Sequence, residues 1–188
     1  QIKLTNVPTL DADLVDLVSP FWSADSQVAL TSLYISSSSV RGTIPSELGL
    51  FRTLEEINLS EAQLTGPLPT ELGLIDELVS LMLMENSLTG TLPTELTQNL
   101  KLDHIWLEHN HFSATLPSEW SVMDSLHSLD VRFNDLSGTL PTEWSALTDV
   151  VKLRLDHNVS VLGPLFMSST SYSNVADTRW FILYFDLI

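Results

Sequence analysis

Histidines and carboxylates recur through the middle and second half of the chain, at spacings compatible with acid–base or metal chemistry. All five histidines, among them His104, His109, His127 and His157, lie within three residues of an Asp or a Glu. Imidazole and carboxylate groups transfer protons and bind zinc, but a zinc site needs three or four ligands that converge on one point. Convergence depends on the elements that carry these side chains.

The composition excludes several classes of function. The 188 residues include 24 Asp and Glu against 8 Lys and Arg, a net charge of -16. We therefore expect neither nucleic acid nor an anionic membrane surface as a partner, because both are bound by clustered cations. The chain has no cysteine, so it has no disulfides and no thiolate chemistry. No apolar run approaches the roughly 18 residues of a membrane-spanning helix, so we predict no membrane span in this chain.

A repeat organises the sequence. NSLTGTLPTELTQ begins at Asn86, NHFSATLPSEWSV at Asn110 and NDLSGTLPTEWSA at Asn134, which gives a period of 24 residues. A period in the twenties predicts a solenoid, because one unit buries its apolar face only when its neighbours stack on it. In this register the units begin at Leu30, Leu54, Leu78, Leu102, Leu126 and Val150.

Each unit contains the same order of local signals. Apolar residues at the first, fourth and sixth positions predict a short strand, and Gly at the thirteenth and Pro at the sixteenth then interrupt the chain. Ser or Thr followed by Glu predicts a short helical turn with a carboxylate near its positive end. The predicted parallel strands are centred near Leu33, Ile57, Leu81, Ile105, Leu129 and Leu153.

The combined pattern L-x-x-L-x-L-x-x-N-x-L-x-G-x-x-P-x-x-L resembles the plant-type leucine-rich repeat over roughly residues 28–166. The resemblance implies an α/β fold, a right-handed solenoid with a concave parallel β-sheet. It also implies a second short strand at the GTLP segment and 3₁₀ or short helices on the convex side. Similar repeats form receptor-like protein ectodomains and polygalacturonase-inhibitor-like proteins, which implies a non-catalytic recognition module.

The resemblance favours an extracellular or cell-surface location, whereas the lack of cysteine-paired end caps and of a signal-peptide pattern argues against it. The family normally has an Asn at the ninth position, whose amide bonds backbone groups inside the turn. Ala62 occupies this position in the second unit and cannot form such bonds. We therefore expect weaker inner hydrogen bonding toward the N-terminal end.

Three regions are predicted along the chain. Residues 1–27 form an N-terminal cap, residues 28–166 form about six leucine-rich repeats, and residues 167–188 form an irregular C-terminal cap with a final strand. In the first cap, a helix is expected around Leu14, Leu17 and Val18. The final strand is expected because the one-four-six apolar spacing returns at Trp180, Leu183 and Phe185.

The repeat places the polar and aromatic residues of the strands on one surface. The second, third, fifth, seventh and eighth positions are free of the core and point outward from the concave sheet, about 4.8 Å from their neighbours on the next strand. Methionine and aromatic side chains on a rigid sheet are typical of binding anchors. We predict that a protein or peptide ligand contacts Met82, Met84, Glu85, His104, Trp106, Glu108, His109, His127, Asp130, Arg132 and Phe133.

The charged residues of this surface are interpreted as structural rather than catalytic. We expect Asp130 to pair with Arg154, and Glu108 with Arg132, across neighbouring strands. A curved sheet directs its outward side chains apart, so no metal site and no cofactor are expected. The chain has no Gly-rich phosphate loop and no cysteine nucleophile, so we expect no enzymatic activity.

Two other functions compete with recognition through the concave face. The chain could be a structural or accessory subunit of a larger assembly, which co-purification at a fixed stoichiometry would indicate. It could also bind ice through a threonine row at Thr43, Thr91, Thr115 and Thr139, although Pro67 interrupts that row. A convex column of carboxylates is interpreted as helix-start electrostatics; it comprises Glu47, Glu71, Glu95, Glu119 and Glu143.

Overall fold

The computed structural model describes residues 2–5, 12–21, 30–36, 39–162 and 182–184, and its strands form two parallel sheets. The concave sheet has eight strands: β1 (Ile2–Thr5), β3 (Ser32–Ser36), β5 (Glu56–Asn58), β7 (Ser80–Met82), β9 (His104–Trp106), β11 (Ser128–Asp130), β13 (Lys152–Arg154) and β15 (Ile182–Tyr184). The second sheet has seven: β2 (Ala12–Asp13), β4 (Val40–Thr43), β6 (Leu64–Gly66), β8 (Ser87–Gly90), β10 (His111–Ala114), β12 (Asp135–Thr139) and β14 (Ser160–Leu162).

Strand pairing in the concave sheet follows the period read from the sequence. Ile57 lies opposite Leu81, Leu81 lies opposite Ile105, and Leu129 lies opposite Leu153. Every predicted strand centre lies in this sheet. The second strand of each of the first five units lies slightly earlier than predicted, because it ends at the first or second residue of the GTLP segment. The predicted leucine-rich repeat solenoid is confirmed.

Alternation along each strand separates the core from the outer face. Leu81 and Leu83 are fully buried, while Met82 and Met84 between and after them remain partly exposed. The buried side chains of all the repeats form one continuous cluster. Burying one leucine contributes about 1.5–3 kcal/mol, so the fold is stabilised by stacking and leaves the outward positions free for other uses.

The convex side carries five short 3₁₀ helices, and each follows a proline in extended conformation. Proline fixes φ near −65° and has no N–H to donate to a strand, so it sets the start of the helix a few residues after the second strand has ended. A buried leucine or tryptophan from each helix reaches the core. The helices are Ser46–Leu50, Thr70–Leu74, Thr94–Gln98, Ser118–Val122 and Thr142–Ala146.

Asparagines at the ninth position satisfy backbone groups inside the solenoid. Asn110 Nδ2 donates to the carbonyl oxygens of Leu83 and Leu107 at 3.0 and 3.1 Å, and its Oδ1 accepts the Leu88 N–H at 3.0 Å. Asn86, Asn134 and Asn158 form equivalent bonds. Ala62 is fully buried and contributes no side-chain bond, so the series is interrupted there; Ser38 lies outside the described residues.

The ends of the array extend both sheets. Helix α1 (Leu14–Val18) buries Leu14 and Val18, and a 3₁₀ turn (Ser19–Phe21) follows it. At the other end, β15 pairs with β13 and places Leu183 opposite Leu153. Trp180 and Phe185 lie outside the described residues, and the boundaries of the two caps stay predictions.

Candidate binding face

The concave sheet brings the predicted site residues onto one face of three neighbouring repeats. Partly exposed members are Met82, Met84, His104, Trp106, Glu108, Arg132 and Phe133. Glu85, His109 and His127 are exposed. Asp130 differs from the rest because it is only 1% exposed, so it supports the face from below and offers no surface to a ligand.

Asp130 is enclosed by two arginines. Arg132 reaches back along its own strand, and its Nε and Nη2 atoms each lie 2.9 Å from an Asp130 carboxylate oxygen. Arg154 on the next strand approaches the same carboxylate at 3.5 Å, as predicted. The hydrogen bond that Arg132 donates to Asp130 is the main cause of the raised pKa of Arg132. The predicted ion pair between Arg132 and Glu108 is wrong, because the guanidinium of Arg132 pairs with the Asp130 carboxylate instead.

Glu108 is left with an incompletely satisfied carboxylate. No described residue donates a hydrogen bond to its buried Oε2 atom. Burial raises the pKa of Glu108; Asp130 raises it further, while a backbone hydrogen bond and the positive charges of Arg132 and Lys152 act in the opposite direction. A buried carboxylate without a full set of donors costs folding free energy, so stability alone does not explain this residue.

Trp106 lies along the sheet and not upright on it. Its Nε1 atom donates to Ser128 Oγ on the next strand at 3.1 Å. Lys152, two strands away, places its Nζ atom 5.5 Å from the indole centroid, and the His104 ring stacks at 5.8 Å. These contacts hold the indole in one orientation, which lowers the entropic cost of using it in an interface.

A stack of three rings forms the edge of the face. The Phe133 ring lies between those of His109 and His157, with centroid distances of 4.2 and 4.1 Å and interplanar angles of 9° and 8°. All three residues have φ between 53° and 57°, a left-handed conformation that is uncommon outside glycine. The shared backbone geometry at the eighth position therefore aligns the rings.

A histidine–aspartate cluster lies at the opposite edge of the strands. Asp103 Oδ1 is 2.9 Å from His127 Nδ1 and 3.2 Å from His104 Nδ1. His127 Nδ1 also lies 2.8 Å from the Ser125 carbonyl oxygen. Within the described ranges, no group of three or more His, Asp or Glu side chains is arranged to hold a metal ion.

The sequence-based prediction missed three residues that contribute to this face. Lys152 covers Trp106, Asp103 joins two histidines, and His157 completes the ring stack. The signal for His157 was present, because His109, Phe133 and His157 are spaced by one repeat each. Lys152 could not be found this way, because its contact depends on the indole lying across two strands.

The second sheet exposes hydroxyl groups that are partly used within the protein. Thr65 Oγ1 donates to the Gly42 carbonyl oxygen at 3.2 Å, and Ser113 Oγ donates to that of Gly90 at 3.5 Å. The row considered for ice binding is exposed at Thr43, Thr91, Thr115 and Thr139, and Pro67 occupies its second place.

No helix in the parts of the chain that the structure describes is long and apolar enough to cross a bilayer.

Comparison with known proteins agrees with the solenoid geometry. The family model described as Leucine Rich Repeat matches residues 125–147. A chain in the BIR3–SERK2 complex from Arabidopsis thaliana is 30% identical, with a TM-score of 0.64 and coverage of 76% of this chain and 74% of that one. The chain belongs to the plant-type leucine-rich repeat proteins.

Other solved leucine-rich repeat structures are similar over only part of their own length. The plant peptide hormone receptor RGFR1, solved in complex with RGF2, is 29% identical with a TM-score of 0.71; the match covers 78% of this chain and 23% of the receptor chain. A plant ice-binding protein has a TM-score of 0.76 at 22% identity, with 84% of this chain and 49% of that chain covered, which demonstrates a shared fold alone. No curated protein matches in a sequence search.

Proposed function

We propose that the protein is a non-catalytic recognition module that binds a protein or peptide through the concave sheet. The observation that carries this proposal is the row of partly exposed apolar side chains on a rigid sheet: Met82, Met84, Trp106 and Phe133. The core is already complete beneath them, so folding does not require large apolar side chains at these positions. Trp near the centre of an interface often contributes 2 kcal/mol or more to affinity.

Related structures support the same assignment. RGFR1 was solved with the peptide hormone RGF2 bound, and the BIR3–SERK2 structure is a complex of two proteins. The proposed site residues lie on three successive repeats, and none of the proposed roles requires a cofactor or a metal ion. An extracellular or cell-surface location would agree with these receptor ectodomains.

A random peptide library displayed on phage provides the test. Peptides selected on the wild-type protein should bind Trp106→Ala and Met82→Ala at least about tenfold more weakly, a change near 1.4 kcal/mol. Val122→Ala is the matched control, because Val122 is a convex apolar residue that is 61% exposed. Melting temperatures establish that the three variants are folded.

The alternative proposal is an accessory subunit of a larger assembly. Exposed apolar residues outside the concave sheet favour it: Leu50, Leu74, Leu100 and Val122. If Val122→Ala abolished the binding of selected peptides while Trp106→Ala did not, this alternative would replace concave recognition. Ice binding is a third candidate, and a thermal hysteresis measurement on the purified chain decides it.

A further inference from the structure

Charge is distributed unevenly over the concave sheet. The outward positions of the repeats that carry β5 and β7 include Glu55, Glu56, Glu61 and Glu85, and they include no Lys or Arg. Tyr34 donates a hydrogen bond to Glu56, but a phenol leaves the negative charge in place. This part of the sheet therefore has a strongly negative potential.

Three cations of the later repeats are engaged within the sheet. Arg132 and Arg154 both approach the buried Asp130 carboxylate. Lys152 lies over the indole of Trp106. These three cations belong to the repeats of β11 and β13, so they lie two or more strands away from the glutamates of the repeats that carry β5 and β7.

Glu108 joins the negative region and provides an independent sign of a missing partner. The backbone N–H of Glu85 donates to the Glu108 carbonyl oxygen at 3.0 Å, which places the two residues on adjacent strands. No described residue donates to the buried Glu108 Oε2 atom. A cationic or N–H donor from a bound molecule would satisfy this oxygen in a partly desolvated place, where charge-assisted hydrogen bonds are strongest.

The same region has an apolar centre. Met82 and Met84 are partly exposed between the rows of glutamates, and Ser60 Oγ lies 2.8 Å from Met84 Sδ. Methionine side chains adapt their shape to an incoming apolar group. A ligand that fits here has an apolar side chain close to positive charges.

We propose that an acidic patch formed by Glu55, Glu56, Glu61, Glu85 and Glu108 around the two methionines binds a cationic, extended peptide segment of a protein partner. The inference rests on the proposed recognition function and names the chemistry of its ligand. Glu61, Glu85 and Glu108 lie on three successive repeats, which span about 10 Å at the usual strand separation. An extended peptide covers that distance in about three residues, so Lys or Arg at positions i and i+3 with an apolar residue between them matches the patch.

The test uses the phage-displayed library with two charge-matched double variants. Peptides selected on wild type should be enriched in Lys and Arg next to apolar residues. Glu85→Gln with Glu108→Gln should weaken their binding at least about tenfold. Glu119→Gln with Glu143→Gln removes the same charge from exposed convex positions and should change the affinity less than about twofold.

Three results would overturn the proposal, and they differ in what they leave standing. Equal weakening by both double variants would mean attraction to the net charge of the chain and not to the patch. Selection of acidic or uncharged peptides whose binding still requires Trp106 and Met82 would contradict the proposal of a cationic ligand. It would still support recognition through the concave sheet. If the affinity of the selected peptides were unchanged in every concave variant, the proposed function would be contradicted as well.

Discussion

The first and second halves of the concave sheet use charge in opposite ways. Around β11 and β13, Asp130 is buried beneath Arg132 and Arg154, and both arginines pair with its carboxylate. Around β5 and β7, the outward positions include several glutamates, among them Glu56 and Glu85, but no Lys or Arg. One half therefore stabilises the face, whereas the other half is suited to attracting a partner.

The convex side differs between the halves as well. A Cβ atom at Gly73 would lie 2.2 Å from the Glu95 carbonyl oxygen, so the early 3₁₀ helices pack too closely for any side chain there. In the later helices, Trp120 and Trp144 replace leucine in the core and stack at 6.3 Å. The second half thus fills its interior with larger, hydrogen-bonded side chains, and we expect its single substitutions to be the more costly.

The largest effect is expected from breaking the ion cluster. Asp130→Asn keeps the shape but leaves two arginines without their anion, and it should lower the free energy of unfolding by about 3 kcal/mol. Urea unfolding measures this change. Glu85→Gln in the first half should change stability by less than about 0.5 kcal/mol, and equal losses at both positions would erase the distinction between the halves.

A smaller loss of stability is expected when the buried tryptophan of a later 3₁₀ helix is replaced by the leucine that the earlier helices have at the same position. Trp120 is fully buried, and its Nε1 atom donates to the Pro93 carbonyl oxygen at 3.0 Å. Trp120→Leu should cost about 2 kcal/mol, because it leaves a cavity and removes the indole hydrogen bond to the Pro93 carbonyl oxygen. Trp120→Phe preserves the stacking with Trp144 and should cost about half as much. A neutral Trp120→Leu would mean that the two kinds of helix are interchangeable.

The fold could be predicted from the sequence much more fully than the face. Buried leucines must repeat with the solenoid turn, so Leu81 and Leu129 specify their own strands and neighbours. The partner of a charged side chain is not specified in this way. Arg132 is within reach of Asp130 on its own strand and of Glu108 on the previous one, and the burial of Asp130 decides between them.

Glu108 links stability to pH in a manner that tests its role. Burial raises its pKa above the ordinary 4.5, so the folded state binds more protons than the unfolded state between the two pKa values. Stability should therefore fall as the pH rises through this interval, and the cost is fully present above the folded-state pKa. Glu108→Gln should raise the free energy of unfolding at neutral pH and change it much less near pH 4, where the folded-state carboxyl group is mostly protonated.

Thermal unfolding of wild type and Glu108→Gln at the two pH values measures this difference. Greater stability combined with weaker peptide binding would identify Glu108 as a residue retained for recognition at a cost in stability. A variant that is less stable than wild type at neutral pH would mean that Glu108 already has adequate partners in the folded protein. The negative half of the face would then be a structural feature like the positive half.

The smallest effect concerns Ala114, which replaces the turn glycine found at the equivalent position of four other described repeats. Ala114 has φ of 72° where Gly42, Gly66, Gly90 and Gly138 have φ between 79° and 98°. An L-residue in this region costs about 1–2 kcal/mol, and the extra chain entropy of an unfolded glycine offsets about 0.4–1 kcal/mol of that. Ala114→Gly should therefore stabilise the protein by about 0.5 kcal/mol and raise its melting temperature by about 1–2 °C.

The reverse change in the first half is the control. Gly90→Ala places a Cβ atom 3.3 Å from Pro67 Cβ at a φ of 85°, so it should destabilise by about 1–2 kcal/mol. Opposite signs at the two positions would mean that both halves share one turn geometry, and that their differences reside in side chains alone. Destabilisation by Ala114→Gly would instead mean that the Ala114 methyl group makes packing contacts that outweigh its backbone strain, and the difference between the halves would extend to the turns themselves.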